Sequence, residues 1–281
     1  MDVWNYKGFS KILDAELWEY IQKNNVPVKH KEDDHIASIE MYSSDPHWAA
    51  IEDILKRTGK SWIADTIFTE DELMCAQWLR VRTTWRTGYP QPMDGFGYET
   101  ITYNRDNYCA DCGIGLKQVE SFRIKKVPSW GRRHFFSLLW VDDELFVSKS
   151  VKKAFQADGI TGVSFVPVKD RTGTIELNGI FQLQILNVLD EGLINTPNNL
   201  RTSTLCSKCG RRKSVSNKGI RVQFKHEIFD NAPDVVKTGD YFGIAGNKGP
   251  SREIIISQKT YQTIVNNRLE RNLSFYPIEL V

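Results

Sequence analysis

Apolar positions recur along this 281-residue chain with two different periods, and the period changes from one segment to the next. Between Lys11 and Asn24, the residues Ile12, Leu13, Leu17, Tyr20 and Ile21 fall at helical spacing, which predicts a helix with one apolar face. Ala37 to Tyr42 alternates instead as Ala-Ser-Ile-Glu-Met-Tyr, the period-two pattern of a strand. Asp45-Pro46 supplies an acidic cap followed by proline at the first helical position, so a helix is expected over 46–58, stopped by Gly59. Thr69 and Glu72 form a capping box, and Phe68 with Leu73 a hydrophobic staple. The helix they start is expected to carry Leu73, Cys75, Ala76, Trp78 and Leu79, which makes Cys75 a small core residue. Thr87 to Gly97, with three glycines and two prolines, reads as a loop or boundary.

Beyond residue 105 the pattern repeats. Cys109-Ala-Asp-Cys112-Gly113 is followed later by an apolar strand ending at Ser148, a helix over 149–157, and Val163-Ser-Phe-Val-Pro-Val168. Cys206-Ser-Lys-Cys209-Gly210 is followed by Ile254-Ile-Ile-Ser257, a helix over 258–267, and Leu273-Ser-Phe-Tyr-Pro-Ile278. In both, a serine stands where strand meets helix, as capping requires. The serines lie 109 residues apart and the prolines of the closing strands 110 apart, so the spacing holds within the module. Modules of this size cannot bury both faces alone, and two could pack into mixed sheets. Residues 175–189 supply further strands between them, with Asn178-Gly179 as the expected hairpin turn.

Composition is that of an ordered globular chain: 41% hydrophobic and 26% charged, with 8 Trp, 10 Tyr and 14 Phe. A net charge of +2 implies no partner by itself. No apolar run is long enough to span a bilayer, and the first residues carry neither a basic nor an apolar leader pattern, so a cytoplasmic location is expected. In that reducing compartment paired thiols more often hold a metal than form disulfides.

A Cys-x-x-Cys turn aims two sulfurs at one point, and the glycine after it lets the backbone fold beneath them. Two such knuckles, Cys109 with Cys112 and Cys206 with Cys209, complete a tetrahedral shell for Zn2+. Four thiolates leave no coordination position for water, so the zinc is expected to be structural. Iron–sulfur binding, a redox dithiol and two unconnected knuckles are the alternatives. The five histidines make no metal-spaced pair on a helix face, and no nucleophile elbow, phosphate loop or His-Glu-x-x-His occurs. No catalytic residue is assigned, and the chain is read as a non-enzyme.

From Arg201 to Lys225 there are eight Lys or Arg and no acid. Arg211, Arg212, Lys213, Arg221 and Lys225 from this run, with Arg132 and Arg133 after the first knuckle, are the candidate partner-binding residues. The other reading is that these charges offset a four-thiolate zinc, formally −2. Trp130, Phe135, Phe136 and Trp140 could stack bases beside such a patch, although aromatics flanking a strand are more often core.

The order Cys109-x-x-Cys112-Gly113, Cys206-x-x-Cys209-Gly210-Arg211, Asp240-Tyr-Phe242, Ile254-Ile-Ile-Ser257 and Phe275-x-Pro-Ile-Glu-Leu280 resembles the double-CXXCG family of bacterial immunity proteins. The likeness covers residues ~105–281 and rests on order and spacing. It implies a protein that binds and neutralises one cognate toxin. The Trp-rich first hundred residues have no counterpart in it, and the first knuckle lies farther from the N-terminus than the family pattern has it.

The expected fold class is α/β (α+β): mixed sheets, two related strand–helix–strand modules and a shared four-cysteine zinc knuckle pair. Residues 1–105 form an N-terminal α/β region. Residues 106–281 form the knuckle region, with modules at 106–170 and 200–281 and intervening strands at 171–199. The expected function is that of a zinc-stabilised immunity protein acting on a protein toxin, with no membrane contact. The alternative is a zinc-ribbon-like nucleic-acid binder using the basic residues around the knuckles.

Overall fold

The computed structural model describes residues 2–30, 35–194, 200–216, 221–243 and 249–281. Among these the fold is mixed α+β, mostly strands, with six α-helices. The chain divides into two units between Glu72 and Leu73.

The first unit runs β1 (Asp2–Ser10), α1 (Ala15–Lys23), β2 (Lys29–His30), β3 (Ile36–Tyr42), α2 (Trp48–Arg57) and β4 (Ile63–Ile67), and α3 (Glu70–Cys75) begins at its end. The sheet order is β2-β3-β1-β4, with every neighbouring pair antiparallel. A βαββαβ chain in this order is a ferredoxin-like split βαβ plait. One sheet face carries Phe9, Ala37, Ile39 and Met41 into a core closed by Leu17 and Ile21 of α1 and Ile51, Ile54 and Leu55 of α2. The expected helices are therefore present with shorter ends, and the expected strand begins one residue earlier, at Ile36. Ile12 and Leu13 precede α1 and are exposed, since the first turn after β1 is not helical. The Thr69–Glu72 capping box forms in both directions: the Glu72 N–H donates to Thr69 Oγ1 (3.2 Å) and the Thr69 N–H to Glu72 Oε2 (3.0 Å). The segment 31–34 lies outside the described residues.

The helix so capped ends at Cys75, and Cys75 is exposed rather than in the core. Trp78 and Leu79, expected on that helix, instead open β5 (Trp78–Thr83), the first strand of the second unit. Trp78-Leu-Arg-Val-Arg-Thr alternates and pairs with a strand on each side, a tertiary gain that overrides the helical pattern at Trp78 and Leu79. This moves the division from residue 105 to residue 72.

The second unit continues with α4 (Tyr98–Thr102), β6 (Tyr103–Asn104), β7 (Lys117–Gln118), β8 (Phe135–Phe136), β9 (Leu145–Ser148), α5 (Lys149–Ala157), β10 (Val163–Lys169) and β11 (Glu176–Ile185). Then come β12 (Leu200–Leu205), β13 (Arg212–Ser216), β14 (Gln223–Phe224), β15 (Val235–Lys237), β16 (Tyr241–Phe242), β17 (Ile254–Ser257), α6 (Gln258–Asn266), β18 (Leu273–Pro277) and β19 (Glu279–Leu280). Two four-stranded sheets carry the fold, in the orders β10-β11-β9-β8 and β18-β5-β17-β15. In each, a strand–helix–strand segment leaves a gap one strand wide, and an antiparallel strand fills it. β11 fills the first and β5 the second. The registers match position by position: Ser148 faces Ile180 as Ser257 faces Trp78, and Val163 faces Ile185 as Leu273 faces Thr83.

Alternation then sorts the side chains of each sheet. Leu145, Val147, Leu183, Leu79, Val81, Ile254 and Ile256 enter one core with Phe155 of α5 and Ile264 of α6. Phe146 points the other way into a second core, and Trp78 and Ile255 into a third. Strands covered on both faces lose the polar alternation, which is why β9 and β17 read as unbroken apolar runs. The expected hairpin turn at Asn178-Gly179 is not one, since both residues lie inside β11. The chain turns at 170–175, where Asp170 Oδ1 accepts from the N–H groups of Gly173, Thr174 and Ile175 and holds the loop locally.

Candidate metal centre

Each knuckle closes through the same pair of backbone bonds. The Cys109 N–H donates to Ile114 O (2.8 Å) and the Gly113 N–H to Cys109 O (2.7 Å). In the second knuckle the Cys206 N–H donates to Arg211 O and the Gly210 N–H to Cys206 O, both at 2.9 Å. The glycines sit at φ +79° and +72°, the left-handed region where a side chain is costly. β12 and β13 form the antiparallel ribbon that presents the second knuckle, and β16 pairs with β13 at Lys213 and Ser214.

This brings together sulfurs from positions 97 apart. Cys109 Sγ lies 3.8 Å from Cys206 Sγ, and Cys112 Sγ lies 3.6 Å from Cys209 Sγ. All four lie within 4.8 Å of one another. A tetrahedron with metal–sulfur bonds of about 2.3 Å has edges of about 3.8 Å, so the donors suit one ion with little adjustment. None of the four is in a disulfide. The cluster could hold a metal ion, and the all-sulfur donor set suits a soft one. Without an ion the thiols differ. Backbone N–H groups of Cys112 and Asp111 bring Cys109 down to about 7, while burial pushes Cys112 up to about 12.

Two cations tie the knuckles to each other. Arg211 Nη1 donates to Asn107 O (2.7 Å) and Ile114 O (2.9 Å), reaching from the second knuckle beneath the first. Gly115 makes this possible: it sits at φ +111°, and a Cβ there would lie 1.9 Å from Asn107 O and 2.7 Å from Arg211 Nη1. Lys213 is buried and donates through Nζ to Cys112 O (3.1 Å). Both bond backbone carbonyls of the first knuckle, so they brace its loop.

The other basic candidates differ in exposure and contacts. Arg212 is exposed, with Nη1 on Ser203 Oγ (3.0 Å), and Arg132 is exposed. Arg133 stacks on the Trp85 ring at 3.8 Å. Lys225 makes a surface pair with Glu227, and Arg221 is half-buried. Lys218 lies outside the described residues. Of the aromatics, Phe135 and Phe136 are fully buried in two different cores, and half-buried Trp130 packs against the one that holds Phe136. Trp140 is 41% exposed and stands beside Tyr89 and Phe96.

Sequence reasoning missed the buried charges. Glu144 pairs with Lys237 and accepts from Gln182 Nε2 (3.0 Å), and all three are buried. Burial raises the Glu144 carboxyl, and it also opposes the charge on Lys237. Asp143 and Glu144 outweigh that and hold the ammonium above its ordinary value. At the register-equivalent position of the other sheet, Glu253 is held low by Arg80 and Arg82 against its burial. In sequence these acids look like ordinary surface residues next to a strand. Arg82 and Glu253, with Arg86 paired to Asp142, also line a cavity of about 290 Å³. No family model matches the chain, and no curated protein matches it either.

Proposed function

We propose that this chain is a non-enzymatic binding protein held together by one structural zinc, acting in a bacterial cytosol as an immunity protein that occludes a cognate toxin. The observation that carries the reading is the convergence of four sulfurs from positions 97 residues apart, with no oxygen or nitrogen ligand grouped with them among the described residues. A closed four-thiolate shell cannot activate water, so its contribution is to fold and rigidity. Zinc is preferred because thiolates are soft ligands and zinc undergoes no redox change in a reducing cytosol. Residues 106–170 and 200–281 are read as related modules, supported by their matching sheet orders and registers. The immunity assignment rests on the motif order. Asp240 accepts from the N–H groups of Gly192 and Leu193, both at 3.0 Å, and Tyr241-Phe242 pairs with the strand leaving the second knuckle, so this motif serves the same scaffold.

The direct test is neutralisation. Where the neighbouring gene encodes a growth-inhibiting protein, co-expression of this chain is expected to restore growth and the purified pair to co-elute. Failure of both would remove the immunity reading. The nucleic-acid alternative draws on the exposed Arg132 and Arg212. It requires retention on DNA or RNA at low salt, falling log-linearly as salt rises, and loss on Arg132→Glu with Arg212→Glu. Arg211 is unsuitable for that test because it holds the knuckles.

A further inference from the structure

Residues from both four-stranded sheets of the second unit line the cavity of about 290 Å³. Leu145 opens β9 as Ile254 opens β17, and both line it. Asp142 and Ser251, each three residues before its strand, line it as well. The cavity therefore sits where equivalent ends of the two sheets meet. Small-ligand sites favour such junctions, and the volume falls near the lower end of the roughly 300–1,000 Å³ usual for them. It suits a ligand of modest size.

The polar groups of the wall decide what kind of ligand. Its carboxylates are already matched: Glu253 is faced by Arg80 and Arg82, and Asp142 pairs with Arg86. Arg252 is not matched. Asp143 Oδ2 accepts from its backbone N–H (3.4 Å), but the Asp143 side chain pairs with Lys237. The Arg252 guanidinium lies over the Tyr241 ring at 4.4 Å and makes no ion pair among the described residues. Its Nε is buried without a hydrogen-bond partner. Residues 195–199, 217–220 and 244–248 contain no Asp or Glu. A guanidinium only donates, and stacking on an aromatic face fixes its plane while leaving its N–H edge for an acceptor. The hydroxyls of Ser137 and Ser251, on the same wall, make no hydrogen bond among the described residues either. Donors left without acceptors carry a free-energy cost until water or the oxygens of an anion satisfy them.

We infer that this cavity binds a small molecule through an oxyanion group, phosphate or carboxylate, held by Arg252 with the hydroxyls of Ser137 and Ser251. The inference goes beyond the immunity reading and does not depend on it, since the ligand is a small anion and not the toxin.

The test is thermal unfolding of the full-length, metal-replete protein in rising inorganic phosphate or succinate, against sodium chloride at matched ionic strength. At least one anion should raise the melting temperature saturably above the chloride control, by mass action on the folded state. A response to phosphate alone assigns a phosphoryl compound, and one to succinate alone a carboxylic acid; either supports the site. Arg252→Gln should weaken the apparent affinity by about tenfold or more. Ser251→Asp keeps both backbone bonds to Phe242 and should abolish the response by repulsion, which keeps the inference testable where Arg252→Gln itself lowers stability. Arg132→Glu with Arg212→Glu should leave the response unchanged. No saturable response to either anion, or one that survives both cavity variants, would overturn the inference. A response lost only on the Arg132 and Arg212 changes would place the anion on the basic surface and overturn it equally.

Discussion

Among single residues, Gly115 and Arg211 bear most directly on the knuckle pair, because one makes room for the other. Gly115→Ala places a methyl group on Asn107 O in a left-handed conformation and is expected to cost about 3 kcal/mol of stability in denaturant unfolding. Arg211→Ala loses two charge-assisted bonds to carbonyls, with an expected cost of about 2 kcal/mol and easier metal release to a chelator. Equal stability of either variant with the parent would separate the clasp from the fold. Asp170 offers a pH signature. The Thr172 hydroxyl and the N–H groups of its turn hold its carboxyl at about 2, below its unfolded value. Its contribution is present above pH ~4 and is lost as pH falls toward 2, so Asp170→Asn should flatten the acid limb of the stability–pH curve. The cysteines were legible as residues: their spacing names the ligands. The clasp was not, since nothing local distinguishes Arg211 from Arg212, and only the folded chain puts Asn107 within reach of one of them.

At the scale of elements, the two serine-to-helix junctions look alike in sequence and differ in bonding. Ser257 Oγ accepts from the Thr260 N–H (3.2 Å) and donates to Asp234 Oδ1 (2.9 Å). Ser148 Oγ makes no cap bond and meets His134 Nδ1 at 3.0 Å. Ser257→Ala is therefore expected to cost about 1 kcal/mol by thermal or denaturant unfolding, and Ser148→Ala clearly less. A reversed order would contradict the assignment of the caps. Helices α5 and α6 and their flanking strands were readable within a residue or two because apolar period, cap and closing proline agree there. The strands that complete each sheet were not. β11 and β5 lie on opposite sides of the chain from the segments they complete, one after its module and one far before its own, and no local pattern encodes such a partner. The helical pattern running on from Leu73 toward Leu79 yielded to sheet pairing for the same reason.

For the molecule as a whole, the second unit is joined across its two sheets by a shared apolar core and by the buried pair of Glu144 with Lys237. Removing one partner strands the other charge in the interior. Lys237→Met is expected to cost about 3–5 kcal/mol, whereas Lys237→Met with Glu144→Leu should recover much of that loss. Additive losses in that double-mutant cycle would show that the two charges do not depend on each other. The four cysteines tie the same unit together at a second point, from two ends of a 97-residue separation, and that closure is the central claim. X-ray absorption at the zinc edge on untagged, unchelated protein tests it most directly. The account predicts one zinc per chain in a shell of four sulfurs at about 2.3 Å, intact in Cys75→Ser and lost in Cys109→Ser. Protein free of zinc, or a shell containing oxygen or nitrogen, would contradict it.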